Sequence, residues 1–109
     1  MDLSHVTSIE QEAFVNSYLT TADLSNVIFI GPSAFNGSRL TGTLNLPNLT
    51  NLGNSAFRNC TGITSIDFTG STFTTVEIST FRGCSNLTKL VLPTTVTTVG
   101  NEWVVDIPR

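Results

Sequence analysis

Four phenylalanines, Phe14, Phe35, Phe57 and Phe81, recur at spacings of 21, 22 and 24 residues, and no other feature narrows the available folds so far. A period in that range marks a solenoid, in which each repeat is one coil of backbone stacked on the last. The register extends beyond the rings. Ile9, Ile30, Leu52 and Val76 stand five residues before each Phe; Val6, Val27, Leu49 and Phe73 stand eight before; Ala13, Ala34, Ala56 and Thr80 stand one before. Three residues after the Phe come Ser17, Ser38, Cys60 and Cys84. A residue returning at one phase of every coil fills an interior column, so these positions are the expected core.

A second apolar group closes each repeat: Leu40, Leu44 and Leu46, then Ile63, Ile66 and Phe68, then Leu87, Leu90 and Leu92. The first coil is one residue short and carries Leu19, Ala22 and Leu24 in those places. Alternation of period two predicts one short strand per coil, with Thr21, Asp23, Thr43, Asn45, Ser65, Asp67, Lys89 and Val91 turned outward. Coils that run the same way pair these strands in parallel, about 4.8 Å apart. Before each Phe, Pro32 and Gly53 mark a turn, and Ser33, Asn54 and Ser79 predict the cap of a single helical turn facing the sheet. The expected coils are 3–24, 27–46, 49–68 and 73–92, with a partial coil over 96–109, all in one domain. There Trp103, too large for the space between two close-packed coils, is expected to fold over the end with Val105 and Ile107. At the other end Leu3 has the phase of a strand residue, so the first coil reads as uncapped.

The grammar apolar-x-x-apolar-x-x-x-Ala-Phe-x-x-Cys-x-x-Leu-x-x-Leu-x-Leu-Pro is clearest over residues 76–93 and nearly as clear over 52–60. It resembles the BspA-like leucine-rich repeat family of bacterial and protist surface proteins, over residues 3 to 104. The resemblance implies a leucine-rich-repeat solenoid, a right-handed stack of about four to five coils with short parallel strands and short helical turns. It further implies a cell-surface or extracellular module that attaches to other proteins.

Charge and length exclude other classes. Lys plus Arg number 5 against 8 Asp plus Glu, a net charge of −3, and no basic run exists to neutralise phosphates, so nucleic acid is not an expected partner. No apolar stretch approaches the roughly 20 residues that cross a bilayer, and the first residues lack the basic and apolar regions of an export signal. Membrane insertion is not expected. Thr, Ser and Asn make up 39 of 109 residues, and four Asn-x-Ser/Thr sequences, at Asn36, Asn48, Asn59 and Asn86, are about what that bias produces by chance.

Chemistry-bearing groups are sparse. His5 is the only histidine, and a nucleophile needs a base beside it. Asp23, Asn45 and Asp67 fall on one strand face in successive coils, and solvated strand residues are the expectation there rather than a weak cation site. Cys60 and Cys84 share a phase in adjacent coils, which allows a disulfide; two buried free thiols are the expected state. Two thiols do not make a structural zinc site. The second coil alone breaks the outward Thr or Asn pattern of the first segment, placing Ile28 and Phe29 where other coils have Thr7-Ser8, Thr50-Asn51 and Thr74-Thr75. Those two are the candidate apolar contact patch.

The reading that follows is a non-catalytic binding module, with no cofactor or metal, meeting a protein or glycan surface through its outward strand residues. The alternative is a structural component of a virus or phage particle or a homo-oligomer, its uncapped first coil covered by a partner.

Overall fold

Two apolar segments per repeat produce two strand ladders, as the computed structural model shows for the residues it describes, 2–77 and 79–100. The longer strands are β3 (Gly42–Asn45), β5 (Ile63–Asp67) and β7 (Lys89–Val91), parallel in that order. The shorter are β1 (Ser8–Ile9), β2 (Phe29–Ile30) and β4 (Asn51–Leu52) in one sheet, and β6 (Thr75–Val76) with β8 (Thr98–Val99) in another. The chain is thus a parallel-strand solenoid of about four turns, as the leucine-rich-repeat reading requires. The second ladder was not expected. Strands of two residues are too short to leave a periodic signature.

The phenylalanines form the interior column. Phe14, Phe35, Phe57 and Phe81 stack in parallel, with centroids 5.3, 5.6 and 6.2 Å apart, the offset arrangement that the ring quadrupole favours. Phe68 meets Phe73 edge-on at 5.0 Å. Ile30, Leu40, Leu46, Leu49, Ile63 and Ile66 are fully buried beside them.

The segment around each Phe is not helical, and this corrects the expectation. In the second coil the amides of Ala34, Asn36 and Ser38 donate to the carbonyls of Gly31, Ser33 and Phe35, closing three successive turns. The alternate amides of Ser33, Phe35 and Gly37 instead donate across to Asn54, Ala56 and Arg58 of the next coil at 2.7 to 2.9 Å. A helix would direct every N–H along its own axis and leave none for the neighbour. The alternation requires a left-handed residue at each corner: Glu12, Asn16, Ser33, Ser55, Asn59 and Ser79 have φ between 55° and 59°. Each such non-glycine residue costs about 1–2 kcal/mol, offset by the cross-coil bonds. Ser33 and Ser79 are therefore turn corners rather than helix caps, and Asn54 precedes its corner, Ser55.

Exposed polar side chains reinforce the stacking. Asn26, Asn48 and Asn86 each donate from Nδ2 to a carbonyl of the preceding coil, Ser4, Ser25 and Thr61, at 2.7 Å. Thr41, Thr50 and Thr88 do the same from Oγ1 at 3.2 Å. The Ser, Thr and Asn bias is in part the consequence.

The ladder of short strands is interrupted between the third and fourth coils. Gly31 and Gly53 donate to Ile9 and Ile30 at 2.8 Å, and Gly100 donates to Val76 at 2.7 Å. The equivalent amides of Thr74 and Glu77 have no backbone acceptor on the third coil, and β4 does not pair with β6. Pro47-Asn48 suffices to link Leu46 to Leu49, whereas Thr69–Thr72 link Phe68 to Phe73. Two additional residues and a bulkier ring carry the fourth coil away, and the 6.2 Å ring spacing occurs at the same seam. Hydrogen exchange should register it: the amides of Thr74 and Glu77 are expected to exchange far faster than those of Gly31 and Gly53. Equal protection would show that the ladder is continuous.

The proposed cap of Trp103, Val105 and Ile107 lies outside the described residues.

Candidate functional site

Side chains that leave the core of the longer ladder stand in two rows fixed by strand register. Thr43, Ser65 and Lys89 are paired neighbours, as are Asn45, Asp67 and Val91. Leu44, Ile66 and Leu90 lie between the rows, the first two buried. Thr21 and Asp23 are exposed but belong to no strand. The first coil, one residue short, contributes no strand to this sheet and is joined to it through Thr20 O, which accepts from Thr41 N at 2.9 Å and Thr41 Oγ1 at 3.2 Å. The expected eight-residue strand face is therefore a six-residue face on three strands.

Both aspartates are engaged locally. Asp67 Oδ1 accepts from the Thr69 hydroxyl at 2.6 Å and the Thr69 amide at 2.8 Å. Those bonds hold its carboxyl below the usual range, and the nearby Lys89 ammonium acts in the same direction. Asp23 Oδ1 accepts from the Ser25 hydroxyl at 2.6 Å and the Ser25 amide at 3.0 Å, and is lowered likewise. Each carboxylate closes the turn that follows it. The Asp23, Asn45, Asp67 row is not continuous, since only Asn45 and Asp67 are paired. Among the described residues no three His, Cys, Asp or Glu side chains are grouped to hold a metal ion.

Cys60 and Cys84 are buried free thiols. Each donates to a carbonyl of the preceding coil, Cys60 Sγ to Phe35 O and Cys84 Sγ to Phe57 O, both at 3.0 Å. Burial raises both, and Cys84 is pushed from its ordinary 9.0 up to about 12. Since the folded value lies above the unfolded one, the neutral thiol's contribution to stability is complete below about pH 9 and is lost between there and about 12. Neither thiol should react with a thiolate-directed reagent at neutral pH until the chain unfolds. Stoichiometric labelling of native protein would contradict this burial.

The short-strand ladder carries the candidate apolar residues. Ile28 is exposed and Phe29 half-buried, and neither joins the core. Each borders a different hollow. Ile28 borders a groove of about 420 Å³ with His5, Thr7, Asn26, Asn48 and Thr50. Phe29 borders a separate cleft of about 380 Å³ with Pro32, Asn51, Asn54 and Glu77. That cleft adjoins another of about 180 Å³, between Thr50, Asn51 and Leu52 on one side and Thr74, Thr75 and Glu77 on the other. The shared members Asn51, Leu52 and Glu77 place both at the interrupted seam.

Glu77 and Asn54 were not identified from sequence, although a signal existed. Gly31 and Gly53 occupy the column in which the fourth coil has Glu77. A Cβ on Gly31 would lie 2.6 Å from Gln11 N, and one on Gly53 would lie 2.5 Å from the Gly31 carbonyl carbon. At Gly31 and Gly53 the preceding coil packs too closely for any side chain, so Glu77, which also follows a full coil, marks a wider gap; Glu10, at the same phase of the first coil, carries no such signal.

A family model described as BspA type leucine rich repeat region matches residues 4–105 in six copies. Neither the curated proteins nor the solved structures include a match to the chain.

Proposed function

This chain belongs to the BspA-type leucine-rich repeat family, and on that premise we propose that it is a non-catalytic adhesion module acting at a cell surface. Repeats of this family typically form protein-binding surfaces, are typically non-catalytic, and are typically found at the surface or outside the cell. The observation that supports the reading here is the face of Thr43, Asn45, Ser65, Asp67, Lys89 and Val91 on three hydrogen-bonded parallel strands. It is broad, mainly uncharged and held rigidly. Such a face suits another protein better than a small molecule, because its breadth supplies area and its fixed register supplies specificity without an ordering cost.

The test uses the full chain and a doubly substituted variant, Ser65→Arg with Asp67→Arg. The parent should bind at least one member of a panel of purified extracellular proteins, and the variant should lose that binding with its circular dichroism unchanged. Undiminished binding by the variant would exclude this face, and a panel with no binder would count against the adhesion reading.

A further inference from the structure

We infer that the seam between the third and fourth coils is a binding site for a neutral saccharide, separate from the protein-binding face. At the seam the stack exposes unpaired backbone toward a cleft. Thr74 and Glu77 offer N–H donors that the other coils spend on their neighbours, and the carbonyls of Thr50 and Leu52 are the acceptors left over. Around them stand the Asn51 and Asn54 amides and the Glu77 carboxylate. Neither Asn54 nor Glu77 uses its side chain within the described part of the protein. Phe29 and Pro32 form an apolar wall beside these groups.

The chemistry of the lining selects the ligand class. The seam presents both donors and acceptors, and a sugar hydroxyl is both donor and acceptor, so a run of hydroxyls can satisfy such a mixed surface. The C–H face of a pyranose ring then lies against Phe29. An anion is disfavoured by Glu77, an apolar ligand by the unpaired peptide groups it would cover, and a cation has only one carboxylate to meet. The larger cleft, about 380 Å³, is within the roughly 300–1,000 Å³ of small-molecule sites. Its openness to solvent suits weak, reversible binding of one or two sugar units.

The experiment is a titration of the isotope-labelled full chain with maltotriose, cellotriose and chitotriose, followed by amide chemical shifts. At least one should give saturable shifts at Phe29, Asn51, Asn54, Thr75 and Glu77, with millimolar or tighter affinity. Glu77→Gln, nearly isosteric and exposed, and Phe29→Thr should each weaken that binding about tenfold or more, whereas Thr43→Ala should leave it unchanged. Replacing Thr69–Thr72 with Pro-Asn, the linker of the preceding coil, should close the seam, protect the Glu77 amide from exchange and abolish the shifts. Three trisaccharides without saturable shifts would overturn the inference. So would shifts confined to β3, β5 and β7, or unaltered affinity in both point variants.

Discussion

Phe57→Ala should destabilise the whole stack rather than loosen a single coil. Phe57 is fully buried, with Phe35 stacked on one side and Phe81 on the other. Truncating a buried Phe costs about 3–5 kcal/mol through lost transfer energy and the cavity left behind. Total stability for a domain of this size is about 5–15 kcal/mol. Because each coil touches only its neighbours, a defect in the middle separates two stacks, each too short to stand alone. Phe14→Ala should cost less, since Phe14 is only half-buried and has one ring neighbour. Urea unfolding of the two variants measures the difference. If Phe57→Ala loses no more stability than Phe14→Ala, the continuous column is not what holds the coils together.

Gly53→Ala is the second large effect, and it works through spacing rather than cavity. The new methyl would meet backbone atoms of Gly31 and Pro32, which cannot step aside individually as a flexible side chain would. Relief requires moving the second and third coils apart, which lengthens the 2.8 Å bond from Gly53 N to Ile30 O. Overpacking of this kind costs about 1–3 kcal/mol, with the weakened ladder in addition. Gly42→Ala is the control: φ is +74° but nothing lies within 4 Å of the added methyl, so only the left-handed conformation is penalised, by about 1 kcal/mol. Glu77→Gly should be tolerated, because the seam already has room. Equal losses at positions 42 and 53 would contradict the close packing inferred for the column.

The columns were legible because each is a repeated choice of residue type at a repeated phase. Phe35, Ile30 and Leu46 could be placed inside without knowing where any of them points, since a side chain recurring in every coil must meet its counterparts. The turns were not. Serine is favoured at a helix cap and is tolerated at a left-handed corner, so Ser33 and Ser79 fit both descriptions locally. What decides between them is the row of carbonyls offered by the next coil. The cysteines were similarly ambiguous: shared phase permits a bridge, yet each thiol is turned to a carbonyl of the coil before it. At the seam the 24-residue spacing was visible from the start, but a count of residues does not say whether an insertion bulges at a corner or separates two strands.

By itself the sequence determined the approximate number of coils, most of the residues inside them and the membership of the family, since all three follow from periodic apolar burial; the exceptions include the first coil, where Ala13 is exposed and Val6, Phe14 and Ser17 are half-buried because only one neighbouring coil covers them. Only the tertiary structure decided how the peptide groups point, which coils are joined by hydrogen bonds and where the stack opens. Those outcomes depend on directional bonds between residues more than twenty positions apart, and each amide's choice of acceptor exists only once the neighbouring coil is in place.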